Sequence, residues 1–141
     1  MNVNKGAQQY AQMKKQTGVE GANPHQLIGM LYQGALDNLQ QALGCIERND
    51  YEGRGRHLGR TITILGGLQS FLDHDKGGDI ARNLDGLYDY MTVRLYDASR
   101  EHSKAPVEEV IRLLREVKTG WDGIADQAQQ IYAQGSEPVA G

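Results

Sequence analysis

Between residues 27 and 131 apolar side chains return at steps of three and four, and no stretch alternates apolar with polar residues for long enough to make a strand. That regularity restricts the chain to helices packed on helices. Four runs carry it. The first is Leu27, Leu31, Ala35, Leu39, Ala42, Leu43 and Ile46, and the second is Leu58, Ile62, Leu65 and Leu72. The third is Ile80, Leu84, Leu87, Tyr88, Met91, Leu95 and Ala98. The fourth is Val107, Val110, Ile111, Leu114, Val117, Trp121, Ile124, Ala128 and Ile131.

The breaks between the runs have local reasons. Asn23 can accept from free backbone N–H groups, and Pro24 lacks the donor that the first helical position leaves unused, so a helix is expected to begin there. The charged ERND at 47–50 ends it, and a second helix is expected over about 51–72. The loop DHDKGG at 73–78 turns the chain, and Asp79 is placed to cap a third helix running to Ser99. After REHSKA, Pro106 opens a fourth helix with Glu108 and Glu109 in its first turn, where the helix dipole favours anions. Short connections make sequential helices antiparallel, so the expected fold is all-α: an antiparallel up-down four-helix bundle over 23–134. Residues 1–22, polar and rich in Gln, Lys and Gly, read as a mobile N-terminal arm able to cap the bundle. Residues 135–141 read as a disordered tail. Many glycines fall inside the expected helices, each costing about 1 kcal/mol relative to Ala. Gly66 and Gly67 are the expected kink.

A chain of 141 residues fits one domain. Its hydrophobic content of 39%, charged content of 23% and net charge of −3 describe an ordinary globule without the basic footprint that nucleic acid requires. No apolar run approaches the roughly 18 residues that span a bilayer, so no membrane insertion is expected. The start MNVNKGAQQY lacks a secretory apolar core, which leads to the cytoplasm as the expected compartment. The lone Cys45 fits a reducing environment and reads as a small buried apolar residue. No phosphate loop, nucleophile elbow or zinc motif is present. A di-metal bundle site would need Glu-x-x-His pairs, and none occurs; His25, His57, His74 and His102 fall near helix starts or in loops. No enzyme, metal or cofactor is therefore expected.

What the runs leave over is apolar. Ile64, Leu68 and Phe71 form a second row on helix 2; Tyr32, Leu36 and Leu43 widen helix 1; Tyr90 and Val93 lie off the main face of helix 3. Either helix 2 is deeply buried and the arm docks Tyr10 and Met13 onto the excess, or these rows make a groove for amphipathic segments of another protein. Both can hold, with the arm displaced when the partner arrives. Tyr10, Met13, Tyr32, Leu36, Leu43, Ile64, Leu68, Phe71, Tyr90 and Val93 are accordingly the expected partner-binding residues. Self-association of a structural bundle through the same rows is the competing reading.

Several blocks resemble the FliS family of flagellin-specific export chaperones: YAQ at 10–12, NPHQLIGMLYQGAL at 23–36, KGGDIARNLDGLYDYM at 76–91, and Trp121 late in the last helix. The resemblance covers about 10–125 in order and spacing. It implies a non-enzymatic cytoplasmic chaperone that binds the disordered C-terminal segment of flagellin, prevents premature polymerisation and helps present the subunit to the flagellar type III export gate. By position, Tyr10 matches the family's capping and binding segment, while Pro24, His25, Gln26 and Leu27 match its helix-start motif. Gly77, Gly78, Leu84, Leu87, Tyr88 and Tyr90 match its second block, and Gly29 stands where the family commonly has a charged residue. A disordered client with amphipathic stretches can fold as helices on an apolar groove without any fixed catalytic residue.

Overall fold

Asn23 opens the first helix with a reciprocal cap. Its Oδ1 accepts from Gln26 N at 2.7 Å, while Asn23 N donates to Gln26 Oε1 at 3.2 Å. Pro24 occupies the first helical position, as its missing N–H allows. The computed structural model describes residues 23–123 and 130–132. Within them α1 (Pro24–Glu47), α2 (Tyr51–Ser70), α3 (His74–Glu101) and α4 (Lys104–Asp122) follow one another across short turns, and no strand occurs among the described residues. The arm at 1–22, the tail at 135–141, and Ile124 and Ala128 of the fourth run lie outside the described residues.

The helices form a ring in which α1 packs on α2 and α4, and α3 packs on the same two. At one end Lys104 Nζ donates to Glu47 Oε2 at 3.0 Å, and at the other His25 meets Trp121, so α1 and α4 run antiparallel. The expected up-down four-helix bundle is the fold. Because each helix touches two neighbours, each presents a broad apolar arc instead of one narrow line. Tyr32, Leu36 and Leu39 of α1, Leu58, Leu65 and Leu68 of α2, Met91 and Leu95 of α3, and Val107, Val110 and Leu114 of α4 fill the centre. Cys45 is buried, its thiol near the Arg48 guanidinium and the Asp50 carboxylate.

Four local expectations are corrected. Asp73, and not Asp79, caps α3: its Oδ1 accepts from Asp75 N and Lys76 N, both at 3.0 Å. Asp79 instead pairs with Arg82 on the exposed surface. The kink falls at Gly78 (φ 54, ψ −130), a conformation in which a Cβ would be strained, while α2 continues through Gly66 and Gly67. α4 starts at Lys104, which moves Glu108 and Glu109 out of its first turn. Ile80 is exposed, because the core beside this end of α3 is taken by Ala81 and by Ile131, whose Cα lies 3.2 Å from the place of a Cβ on Gly77.

Aromatic groups close the end that contains both Asn23 and Trp121. The His25 and Trp121 rings stack at 4.6 Å; His25 Nε2 donates to Trp121 O at 2.9 Å and Trp121 Nε1 donates to His25 O at 3.2 Å. The start of α1 is thereby fastened to the end of α4. Tyr132 stands edge-on to Trp121 at 4.7 Å and completes a buried triangle of hydroxyls with Tyr32 and Tyr88, at 2.5, 2.8 and 3.0 Å. Each hydroxyl can donate once and accept once within that triangle, so none is left unsatisfied. At the opposite end two residues in the left-handed region face each other, and His102 Nε2 donates to Asn49 Oδ1 at 3.0 Å. Arg54 Nη1 donates to His102 Nδ1 at 2.7 Å, which sets that tautomer.

Candidate partner-binding surface

The residues expected to bind a partner are distributed over three places. Tyr32, Leu68 and Phe71 stand in the core, correcting the expectation that they line a surface groove, while Leu36, 8% exposed, reaches from the core to a groove between α1 and α4. Their rows exist because a helix with two neighbours needs two apolar rows. Leu43 and Ile64 sit half-buried at the edges of two different grooves: Leu43 between α1 and α4, Ile64 between α1 and α2. Tyr90 and Val93 lie on the outer side of α3, 44% and 57% exposed, and Tyr96 extends them at 58%. Tyr10 and Met13 lie outside the described residues.

The outer side of α3 is ordered by charge. The Tyr90 hydroxyl donates to Glu109 Oε2 at 2.6 Å, and Arg94 Nε donates to Glu109 Oε1 at 2.7 Å. Arg94 reaches Asp97 Oδ2 at 2.9 Å, and Arg100 takes the other oxygen at 2.9 Å. The Tyr90 hydroxyl and then Arg94 hold the Glu109 carboxyl below the usual carboxylate range, and Arg94 followed by Arg100 does the same for Asp97. The hydrogen bond to Glu109 raises the Tyr90 phenol. This network spans α3 and α4 and fixes the Tyr90 ring at their junction, leaving Val93 and Tyr96 beside it in water. An apolar row held in place by charged neighbours can meet an apolar strip on another chain without rearranging.

Of a second surface only Ile64 was anticipated from the sequence. The α1/α2 groove holds about 730 Å3, against about 470 Å3 for the α1/α4 groove that includes Leu43. Met30, Leu31, Gly34 and Ile64 give it an apolar floor and lip, and Arg56 and Arg60 rise from its α2 wall. His57 Nδ1 donates to Asn38 Oδ1 at 2.9 Å and ties the two helices beneath it. Burial, then the adjacent Arg56 and Arg60, lowers the His57 pKa from its ordinary value. The signal available in the sequence was the combination of Gly55 and Gly59 with two arginines on one turn-to-turn line, which apolar periodicity alone passes over. No helix among the described residues is long and apolar enough to cross a membrane.

The family model of the flagellar protein FliS matches residues 6–128. The flagellar secretion chaperone FliSB of Pseudomonas aeruginosa is 45% identical over 125 residues, covering 89% of this chain and 99% of that protein. The flagellar secretion chaperone FliS of Salmonella typhimurium is 40% identical over 124 residues, covering 87% and 92%. That of Bacillus subtilis is 27% identical over 126 residues, covering 89% and 92%. With this extent of match, the chain belongs to the FliS family.

Proposed function

We propose that this protein is a cytoplasmic export chaperone that binds the disordered C-terminal segment of flagellin, keeps it from polymerising before export and helps deliver it to the flagellar type III export gate. Membership of a family whose relatives are named flagellar secretion chaperones carries the reading. Its physical support is the apolar surface that the bundle leaves uncovered: the Tyr90, Val93 and Tyr96 row and the α1/α2 groove. A client that is unfolded alone can order helices on such surfaces, exchanging conformational entropy for burial, with no bond made or broken. Tyr10 and Met13, as part of an N-terminal cap, would cover this surface until the client displaces them.

The test is calorimetric titration of roughly the last 40 residues of the host's flagellin into the protein, repeated with residues 1–22 deleted. Binding with a large negative heat-capacity change and a gain in helicity is the expected result, and tighter binding after the deletion identifies the arm as a competing cap. Absence of heat and of helix gain with either protein would sink the reading. Concentration-dependent sedimentation without client would instead favour self-association through the same row.

A further inference from the structure

We infer that Ile131 and Tyr132 form a C-terminal latch, seated in a prepared site at one end of the bundle, that opens as a unit while the four helices stay folded. The helices end at Asp122, so both residues follow the ring in sequence, yet each is only 2% exposed. The seat fits them closely. Gly77 leaves room for Ile131, since a Cβ there would lie 3.2 Å from the Ile131 Cα. The Tyr132 ring stands edge-on to Trp121, and its hydroxyl meets Tyr88 of α3 at 2.8 Å and Tyr32 of α1 at 3.0 Å. Among the described residues, one main-chain bond joins the segment to the bundle: Asp73 N donates to Ile131 O at 2.5 Å.

The bundle can lose these contacts and keep its fold. Tyr32 and Tyr88 remain bonded to each other at 2.5 Å when Tyr132 leaves, so each buried hydroxyl keeps a partner. The ring stack and the two hydrogen bonds between His25 and Trp121 hold the end of α4 on α1 without Tyr132. α3 bends at Gly78 (φ 54, ψ −130), which sets the turn at Asp73–Gly77 apart from the rest of the helix and gives it a pivot to follow the latch. A short segment held by few bonds at the end of a bundle opens at a lower free energy than the core. Opening uncovers Tyr88 and Trp121 at the end of the bundle where residues 1–22 join Asn23. The latch therefore controls access to an apolar pocket that its shut form hides.

Native-state hydrogen exchange on the full chain, repeated across low denaturant, tests the latch. The Asp73 amide reports its opening, because Ile131 O is the partner of that amide, and the buried Leu95 in α3 reports global unfolding. Protection at Asp73 should be lower than at Leu95 by about tenfold or more and nearly independent of denaturant, because an opening latch bares little surface. Tyr132→Phe keeps the ring and removes the hydroxyl, and should lower protection at Asp73 about fivefold, the effect of one ordinary hydrogen bond. Val107→Ala, in the core at the end of α4 far from Trp121, weakens the shut and the open forms alike. It should lower protection at Leu95 by about tenfold while Asp73 stays within about twofold. Equal protection and one denaturant slope at the two amides, or a joint loss in Val107→Ala, would make the segment a fixed part of the core and overturn the latch. So would an Asp73 amide that exchanges like a free chain in the wild type, since the segment would then not be seated. Unchanged protection at Asp73 in Tyr132→Phe would remove the hydroxyl triangle as what holds it shut.

Discussion

The Tyr32–Tyr88–Tyr132 triangle shows how single atoms set limits on this protein. Burial, the largest influence on all three phenols, raises each pKa above its ordinary value of 10.0. The unfolded chain therefore gives up these protons at a lower pH than the folded one. The stabilisation is complete below pH 10 and is lost as pH rises from there toward the folded values. Denaturant midpoints should fall steeply above pH 10, and Tyr88→Phe should reduce that dependence. At neutral pH the same substitution leaves Tyr32 and Tyr132 to pair with each other at 3.0 Å. It should cost about 1 kcal/mol, seen as a lower urea midpoint at an unchanged slope. On the acid side His57 has the opposite sign. Its pKa lies below the ordinary 6.5, so the unfolded chain takes up a proton that the fold refuses, and stability declines as pH drops below 6.5. His57→Gln should flatten the decline between pH 6.5 and 5 in a melting series.

At the scale of the element, position on the helix decides what a substitution does. Leu68 and Phe71 belong to rows that looked like surface in helical projection, yet both are buried. Leu68→Glu or Phe71→Glu places a carboxylate in the core at a cost of several kcal/mol, comparable with the stability of a whole small domain. Circular dichroism should show loss of the fold, not selective loss of a partner. Val93→Glu and Tyr96→Glu, on the outer side of α3, should keep helicity and melting temperature and weaken client binding. A normal client affinity in both would remove that row from the binding surface. Glycines divide the same way. Gly59→Ala adds a Cβ to open space inside a helix and should stabilise the free protein by about 0.5–1 kcal/mol in chemical denaturation. Gly78→Ala forces an L-residue to φ 54 with ψ −130 and should destabilise it by about 1–3 kcal/mol.

For the whole molecule, the ring of four helices separates a closed interior from two outer surfaces, the Tyr90 row and the α1/α2 groove, on different sides of the bundle. A single extended client could reach both, and a rigid globular partner would touch only one. Removing the His25 clasp should test how far the two ends are coupled. His25→Ala deletes the stack on Trp121 and the bond to Trp121 O, and should lower stability by about 1–2 kcal/mol while leaving the Asn49–His102 end protected in hydrogen exchange. The amino-acid sequence by itself determined the helices, their order, the cap at Asn23 and the antiparallel ring, because periodicity, capping and short turns act between residues close in the chain. The motif blocks made the family legible in the same way. Which apolar rows would face water was decided only by the tertiary structure. Tyr32 and Tyr90 are both aromatic residues off a main stripe, yet one lies against Tyr88 and Tyr132 and the other reaches across to Glu109. Helical angle gives the direction of a side chain; burial depends on whether another helix stands in that direction, and that is a property of the assembled bundle.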